Sequence, residues 1–163
     1  MPINVSAVQK ALSPNPFCLI ATTKPDGDTN LMALSWWTFV SNQPATIAVC
    51  LSKKGFSGEL IKNTSEFTLS VVGDELKSAA FSCGTCTGRK VNKAKEFGIE
   101  LVNSLIVKTK IVKALKVALE CKVINSVDVN DHIMFIAEIV EAHINPEVSH
   151  LYAFNGYANL STI

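Results

Sequence analysis

The clearest pattern in the chain lies in its second half. Ala118 to Val127 and His132 to Ala142 are long runs of apolar and β-branched residues broken by single polar ones. Such runs predict strands. Val127-Asp128-Val129-Asn130-Asp131 lies between them as a hairpin connection. In the first half, Phe17 to Thr23, Thr46 to Leu51 and Phe67 to Val72 are shorter β-type runs. Asn30 to Val40 reads as extended with a break near Ser35, and Leu151 to Phe154 as a last short strand that Asn155-Gly156 turns out of.

Turn chemistry separates these runs. Lys24-Pro25-Asp26-Gly27-Asp28 and Ser41-Asn42-Gln43-Pro44 are turn clusters. Ser6 to Leu12 predicts a short helix stopped by Ser13-Pro14-Asn15-Pro16. Ser52 to Gly58 is a loop from which Ser57 is expected to cap a helix through Glu59, Leu60 and Ile61. Asp74 is expected to cap a helix reaching Phe81, and Lys93 to Phe97 predicts another, ended by Gly98. Hairpin-linked strands with short helices between them predict a mainly β chain, an antiparallel sheet or barrel with helices at its edges. No repeat or Pro/Gly/Ser-rich linker divides it, so residues 1–163 read as one domain.

Composition sharpens this picture. The chain is 48% hydrophobic but only 18% charged, against about 25% charged in ordinary soluble domains. Disorder is excluded by the apolar content. The purest apolar runs, Phe17 to Ala21, Ile47 to Leu51 and Ile133 to Ala137, fall far short of the ~18 to 20 residues of a spanning helix, so no membrane partner is expected. A formal net charge of +1 gives no electrostatic footprint for nucleic acid. Lysine clusters at 89–95 and 108–116 read as solvated faces. Low surface charge without a membrane run points to surface hidden against a second copy or around a ligand. Met1-Pro2-Ile3-Asn4-Val5 lacks the marks of a signal peptide, and five irregularly spaced cysteines suit a reducing compartment, so a cytoplasmic location is expected.

Candidate chemistry sits in the first ninety-odd residues. Neither GxGxxG nor GxxxxGK[ST] occurs. Asn30 follows a tight turn, Ser35-Trp36-Trp37 comes next, Ser52 to Ser57 opens a helix, and Cys83 to Lys90 is a polar Gly-rich loop followed by Lys93. A phosphorylated aromatic cofactor needs a phosphate site of N–H donors, a hydroxyl and a cation. It also needs an apolar wall and a few donors for its ring. The Ser52 to Ser57 loop and Lys93 suit the first, and Trp36 the second. Adjacent residues on a strand face opposite ways, so one of Trp36 and Trp37 can serve the core while the other meets a ligand. Cys18, Cys50 and Cys121 lie in apolar runs as small core residues. Cys83-Gly84-Thr85-Cys86 is open to three readings: half a zinc site, a candidate redox dithiol (Cys83, Cys86), or a pair of loop thiols. No second Cys pair exists to complete a zinc site, so no metal is expected.

The ordered set resembles the flavin reductase-like family with the FMN-binding split barrel, which includes the flavoredoxins. The resemblance runs from about residue 14 to 156, through Pro16 to Thr23, Asp26-Gly27, Asn30, Ala33 to Trp37, Val40-Ser41 with Pro44 and Lys54 to Ser57. It continues through Asn63, Glu66-Phe67, Ser82, Gly88-Arg89, Lys93, Phe97-Gly98, Leu119 to Val123, Asp131-His132 and Glu138 to Val140. It implies an antiparallel split barrel, a homodimer with flavin near the subunit interface, and FMN as cofactor. It implies that Asn30 contacts the flavin and that Ala33, Ser35 and Trp36 run past its ring. Ser57, assisted by Lys54, would hold the phosphate. Lys93 lies near the flavin, His132 reaches it, and Phe154 packs near the ring. The implied activity is FMN-dependent oxidoreduction, either NAD(P)H-linked flavin reduction or electron transfer with a protein donor or acceptor. No side chain is then an obligate acid or base. The alternatives are a non-catalytic flavin storage module or an oligomeric scaffold. Haem binding through His132 or His143 is a third, weaker reading.

Overall fold

A computed structural model describes residues 2–163. Helix α1 (Val5–Ala11) leads to strands β1 (Asn15–Pro16), β2 (Cys18–Thr23), β3 (Thr29–Leu34), β4 (Trp37–Asn42) and β5 (Ala45–Ser52). Helix α2 (Phe56–Thr64) and β6 (Glu66–Val72) follow, then a 3-10 turn (Asp74–Leu76), α3 (Lys77–Cys83) and α4 (Lys93–Glu96). The chain ends in β7 (Leu101–Val102), β8 (Ile111–Val112), β9 (Leu115–Val129), β10 (His132–Ile144), β11 (Leu151–Phe154) and β12 (Asn159–Thr162).

The architecture is mainly β with short helices, and every strand pair is antiparallel. Seven strands form the main sheet in the order β3-β2-β6-β9-β10-β5-β4. No ladder closes it, because β3 and β4 are both edges. A second sheet, β1-β11-β12, flanks it, and β7 pairs only with β8. Among the described residues no helix is long and apolar enough to cross a membrane.

At β2 both faces of the sheet are covered, which explains the unbroken apolar run there. Cys18 and Ile20 point into a core with Ile47, Val49, Phe67 and Phe135. Leu19 and Ala21 point the other way, into a core with Phe17, Leu31, Leu151 and Leu160. A strand buried on both sides loses the period-two signal of a half-exposed one. The β2–β3 turn depends on Gly27 at φ +87, a conformation that costs glycine nothing and other residues dearly. Asp26 fixes the same turn by accepting from the Asp28 N–H at 2.9 Å.

Two expected caps are corrected. Helix α2 starts one residue before Ser57, with Gly55 at the cap position and no side-chain cap. Gly73, not Asp74, holds the cap position of the 3-10 turn, and α3 begins only at Lys77. An unforeseen cap is Asn92, whose side chain accepts from the Lys95 N–H at the start of α4. Cys18 and Cys121 are buried as expected, whereas Cys50 is only half-buried on β5.

Candidate functional site

The break expected near Ser35 is the centre of the site. Strand β3 ends at Leu34, and β4 resumes at Trp37 beside β5. The outer edge of β3 therefore carries backbone groups that no neighbouring strand pairs. Elements from four parts of the chain gather along it.

At its start stands Asn30, almost fully buried. Its Nδ2 donates to Thr22 Oγ1 at 3.0 Å and to Ser57 Oγ at 2.9 Å. Because Ser57 Oγ accepts from Asn30, its own proton remains free to donate. Ser57 occupies the first turn of α2, where N–H groups have no intrahelical acceptor and no side chain caps them. Such a terminus favours an anion. The loop after α3 presses against the same corner. A Cβ placed on Gly88 would lie 1.8 Å from Asn30 Oδ1, so only glycine permits this approach. Next in the loop, Arg89 lies 4.6 Å above the Phe56 ring and pairs with Glu59 at 2.6 Å. The pair offsets the one acidic charge in the first turn of α2.

Further along β3, Ala33 faces the opposite side from Asn30, as an odd spacing on a strand requires. Ala33 lines a cavity of about 300 Å³ with Phe17, Phe81, Gly84 and Tyr157. At the break itself, Ser35 Oγ and Trp37 Nε1 are buried; Ser35 faces the Tyr157 hydroxyl, while Trp37 Nε1 meets no hydrogen-bond partner. Trp37 packs on the core, while Trp36 is 38% exposed. Its ring lies 4.8 Å from that of His132. His132 Nδ1 in turn bonds Asp131 at 2.9 Å, which holds the Asp131 carboxyl below its ordinary range. The hairpin tip is fixed by the Lys53 N–H donating to Asp131 O at 3.0 Å.

Lys93 is 4% exposed and donates to the Cys83 carbonyl at 2.6 Å. Burial lowers its pKa, while the Cys83 and Cys86 thiols oppose that shift. Cys83 is the last residue of α3 rather than a loop residue, and burial raises its thiol to about 11. At neutral pH it is therefore not a thiolate, the form that thiol exchange requires. No group of three or more His, Cys, Asp or Glu converges as for a metal among the described residues.

The structure thus brings together Asn30 with Ser57, Trp36 with His132, and Lys93 with Cys83. Lys54 flanks the corner, but only its backbone N–H is bonded, to Ser52 Oγ at 3.3 Å. Phe154 lies half-buried on β11, opposite Asn159 in the second sheet. The late aromatic on the Ala33 side is Tyr157, whose ring meets Phe17 at 6.3 Å. The roles of Thr22, Gly88 and Arg89 were hidden from single-sequence reading, because each depends on a contact between distant segments.

The model of the flavin reductase-like domain matches residues 11–161. The chain belongs to the flavin reductase-like family. Its fold is similar to that of the flavoredoxin of Desulfovibrio vulgaris (TM-score 0.86, 23% identity, 100% of this chain and 93% of that one). It is also similar to NADH:FAD oxidoreductase of Streptomyces globisporus (TM-score 0.87, 16% identity, 100% and 95%). An FMN-binding protein of Thermus thermophilus with bound 1-cyclohex-2-enone gives a TM-score of 0.83 at 18% identity over 94% and 88%. Archaeal relatives 32% and 33% identical, from Archaeoglobus fulgidus and Pyrococcus abyssi, match over 68% and 69% of this chain. That match spans only 63% and 64% of their own length. In this flavin reductase-like chain, the open edge of β3 and the uncapped start of α2 form the candidate site.

Proposed function

We propose that the chain is an FMN-dependent oxidoreductase, acting in NAD(P)H-linked flavin reduction or in flavoredoxin-type electron transfer with a protein partner. The observation that carries this reading is the uncapped N-terminus of α2 with Ser57 and Asn30 bonded beside it. The residues present fit a flavin mononucleotide. The first-turn N–H groups of α2 and the Ser57 hydroxyl suit a terminal phosphate, with Lys54 and Arg89 as nearby cations. The Gly88 approach to Asn30 shapes the floor of that corner. The free edge of β3 suits the hydrogen-bonding edge of the ring, and the Trp36–His132 pair offers an apolar wall.

A bound flavin supplies hydride acceptance and the release of electrons singly or in pairs. The protein's residues bind and orient. Asn30 donates to the Ser57 oxygen, which would leave the Ser57 proton available to a phosphate oxygen. Lys93 adds positive character behind the Gly84 to Gly88 loop, which favours a reduced, anionic cofactor. A monophosphate suits the uncapped start of α2 beside Ser57. The FMN-binding name of the Thermus relative supports the same choice, whereas the Streptomyces relative is named for FAD.

Residues 1–163 act as one domain, in two copies that form a split barrel with the site at their junction. Exposed Phe39 and Val40 on β4, and Ile124 and Val127 on the outer half of β9, supply an apolar surface for that contact. Five free thiols suit a reducing compartment such as the cytoplasm. Titration of the apoprotein with FMN and with FAD tests the cofactor, with saturation expected near one FMN per chain. Anaerobic mixing with NADH, NADPH or a reduced carrier then separates reductase from carrier. Failure to retain FMN at saturating concentration sinks the reading.

A further inference from the structure

The Cys83-Gly84-Thr85-Cys86 motif has no part in the flavin reading, yet the fold sets its two thiols in unlike surroundings. Cys83 ends α3 and is buried in the core with Phe17 and Ala80. Cys86 is half-buried and lines a cavity of about 570 Å³ with Lys90, Lys95 and Phe97, where a small molecule can reach it. The chain between them stays tightly turned. The Gly84 N–H donates to Phe81 O at 3.0 Å and the Thr85 N–H to Ser82 O at 3.1 Å. Cys86 Sγ folds back to 3.8 Å from the same Ser82 O, an atom of the peptide unit that leads into Cys83. Lys93 holds the Cys83 carbonyl at 2.6 Å, and the charges of both thiols act on its ammonium. The other cysteines lie elsewhere, Cys18 and Cys121 fully buried in the main sheet and Cys50 on β5. An accessible thiol folded back on a buried one is the arrangement of an attacking cysteine and its resolving partner.

The loop that this motif opens is also seated on the candidate site. A Cβ on Gly84 would stand 3.5 Å from Ala33 Cβ, and Gly88 leaves no room for a Cβ against Asn30. A shift of Cys86 is therefore felt two residues later at the Asn30–Ser57 bond.

We propose that Cys83 and Cys86 close to a reversible disulfide that loosens the phosphate corner. The bond stands apart from the flavin reading, and its effect on the corner rests on that reading. The oxidant is a low-molecular-weight disulfide, RSSR. The Cys86 thiolate attacks one of its sulfurs and expels RS⁻, leaving a mixed disulfide. The Cys83 sulfur then attacks the Cys86 sulfur and expels the second RS⁻. The two protein thiols lose two electrons to RSSR, and their two protons end on the two released thiols. Burial holds the Cys83 thiol at about 11, so about one molecule in a thousand is ionised there at pH 8. The second attack is intramolecular, and effective molarities of well-placed groups reach about 10⁵ M or more, which outweighs that fraction. Closure draws Cys86 off Ser82 O toward Cys83, which the core and Lys93 hold in place.

The test treats the full chain with oxidised glutathione and maps it with trypsin. Both cysteines fall in one tryptic peptide, Ser78 to Arg89. That peptide is expected to lose two hydrogen atoms and to regain them with dithiothreitol, while Cys18, Cys50 and Cys121 stay thiols. Cys83→Ala is expected to stop with one glutathione on Cys86, and Cys86→Ser, at a half-exposed position that tolerates the change, to leave Cys83 unmodified. FMN titration of oxidised and reduced wild type is expected to show about tenfold weaker binding after oxidation, one charge-assisted hydrogen bond's worth. Cys86→Ser is expected to show no such change. A wild-type peptide that keeps both thiols, or that stalls at the glutathione adduct, overturns the disulfide. A closed bond with unchanged FMN affinity overturns its effect on the corner. FMN binding absent in both redox states sinks the flavin reading and that effect with it, while the mapped bond stands.

Discussion

Gly88→Ala is the sharpest probe of the phosphate corner. The new Cβ would stand 1.8 Å from Asn30 Oδ1 and 2.8 Å from its Cγ, so Asn30 must leave its place. Doing so breaks its bonds to Thr22 and Ser57. Each neutral hydrogen bond contributes about 1 kcal/mol, and an unpaired buried amide costs about 1–3 more. A stability loss of about 3–5 kcal/mol follows, read as a lower urea midpoint at unchanged slope. The Ser57 hydroxyl then loses its orientation toward the anion. One charge-assisted hydrogen bond contributes about 1.5–3 kcal/mol, so FMN affinity is expected to fall roughly 10- to 100-fold. Fluorescence titration of apoprotein measures this directly. Gly84→Ala in the same loop is the control, because its Cβ would meet Phe81 O at 3.4 Å and Ala33 Cβ at 3.5 Å, which is tolerable contact. A Gly88→Ala protein with wild-type affinity and midpoint would refute the reasoning.

Three other predictions concern the supporting structure. Glu120→Gln removes one acceptor oxygen from a carboxylate that serves three N–H groups and His143, so a loss of about 3–5 kcal/mol is expected in urea unfolding. Burial raises the Glu120 pKa, but the loop N–H groups and His143 outweigh it, and the net shift is downward. Its contribution is therefore present above the unfolded carboxyl range and fades as pH falls through the lower folded value. Accordingly, the gap between wild type and Glu120→Gln should narrow between about pH 5 and pH 3, and a gap independent of pH would contradict that sign. Lys93→Met leaves the Cys83 carbonyl without its 2.6 Å donor, so faster amide exchange is expected across residues 84–92, and unchanged exchange would count against the contact. In native protein at pH 8, a thiol reagent should modify Cys86 before Cys83, whose thiol is held at about 11; peptide mapping reads the order, and the reverse order would contradict it.

Strands were legible in this sequence where packing leaves a plain pattern. The β9–β10 hairpin, the turn at Lys24 to Asp28 and the interruption at Ser35 all follow from apolar runs and turn residues. Strands β1, β7 and β8 have two residues each, too few for any period to register. Helix starts were misplaced because backbone geometry, not the nearest Ser or Asp, decides which residue caps. Ser57 shows the consequence: one residue inside the helix, it is free to bond Asn30 and a ligand. The site residues were suggested by order along the chain, but their grouping was not. Asn30 and Ala33 read as one segment, yet a strand sends them to opposite faces. The bonds of Glu120 to the N–H groups of Leu105, Ile106 and Val107 depend on a pairing across the fold that no local window contains.

The central claim is that FMN binds along the free edge of β3 with its phosphate at the start of α2. Equilibrium titration of apoprotein with FMN, run in parallel for wild type and Ser57→Ala, tests it most directly. Saturation near one FMN per chain in the wild type, with clearly weaker binding in Ser57→Ala, is the predicted result. Equal FMN affinity in both proteins, or no FMN retained by either, would contradict it.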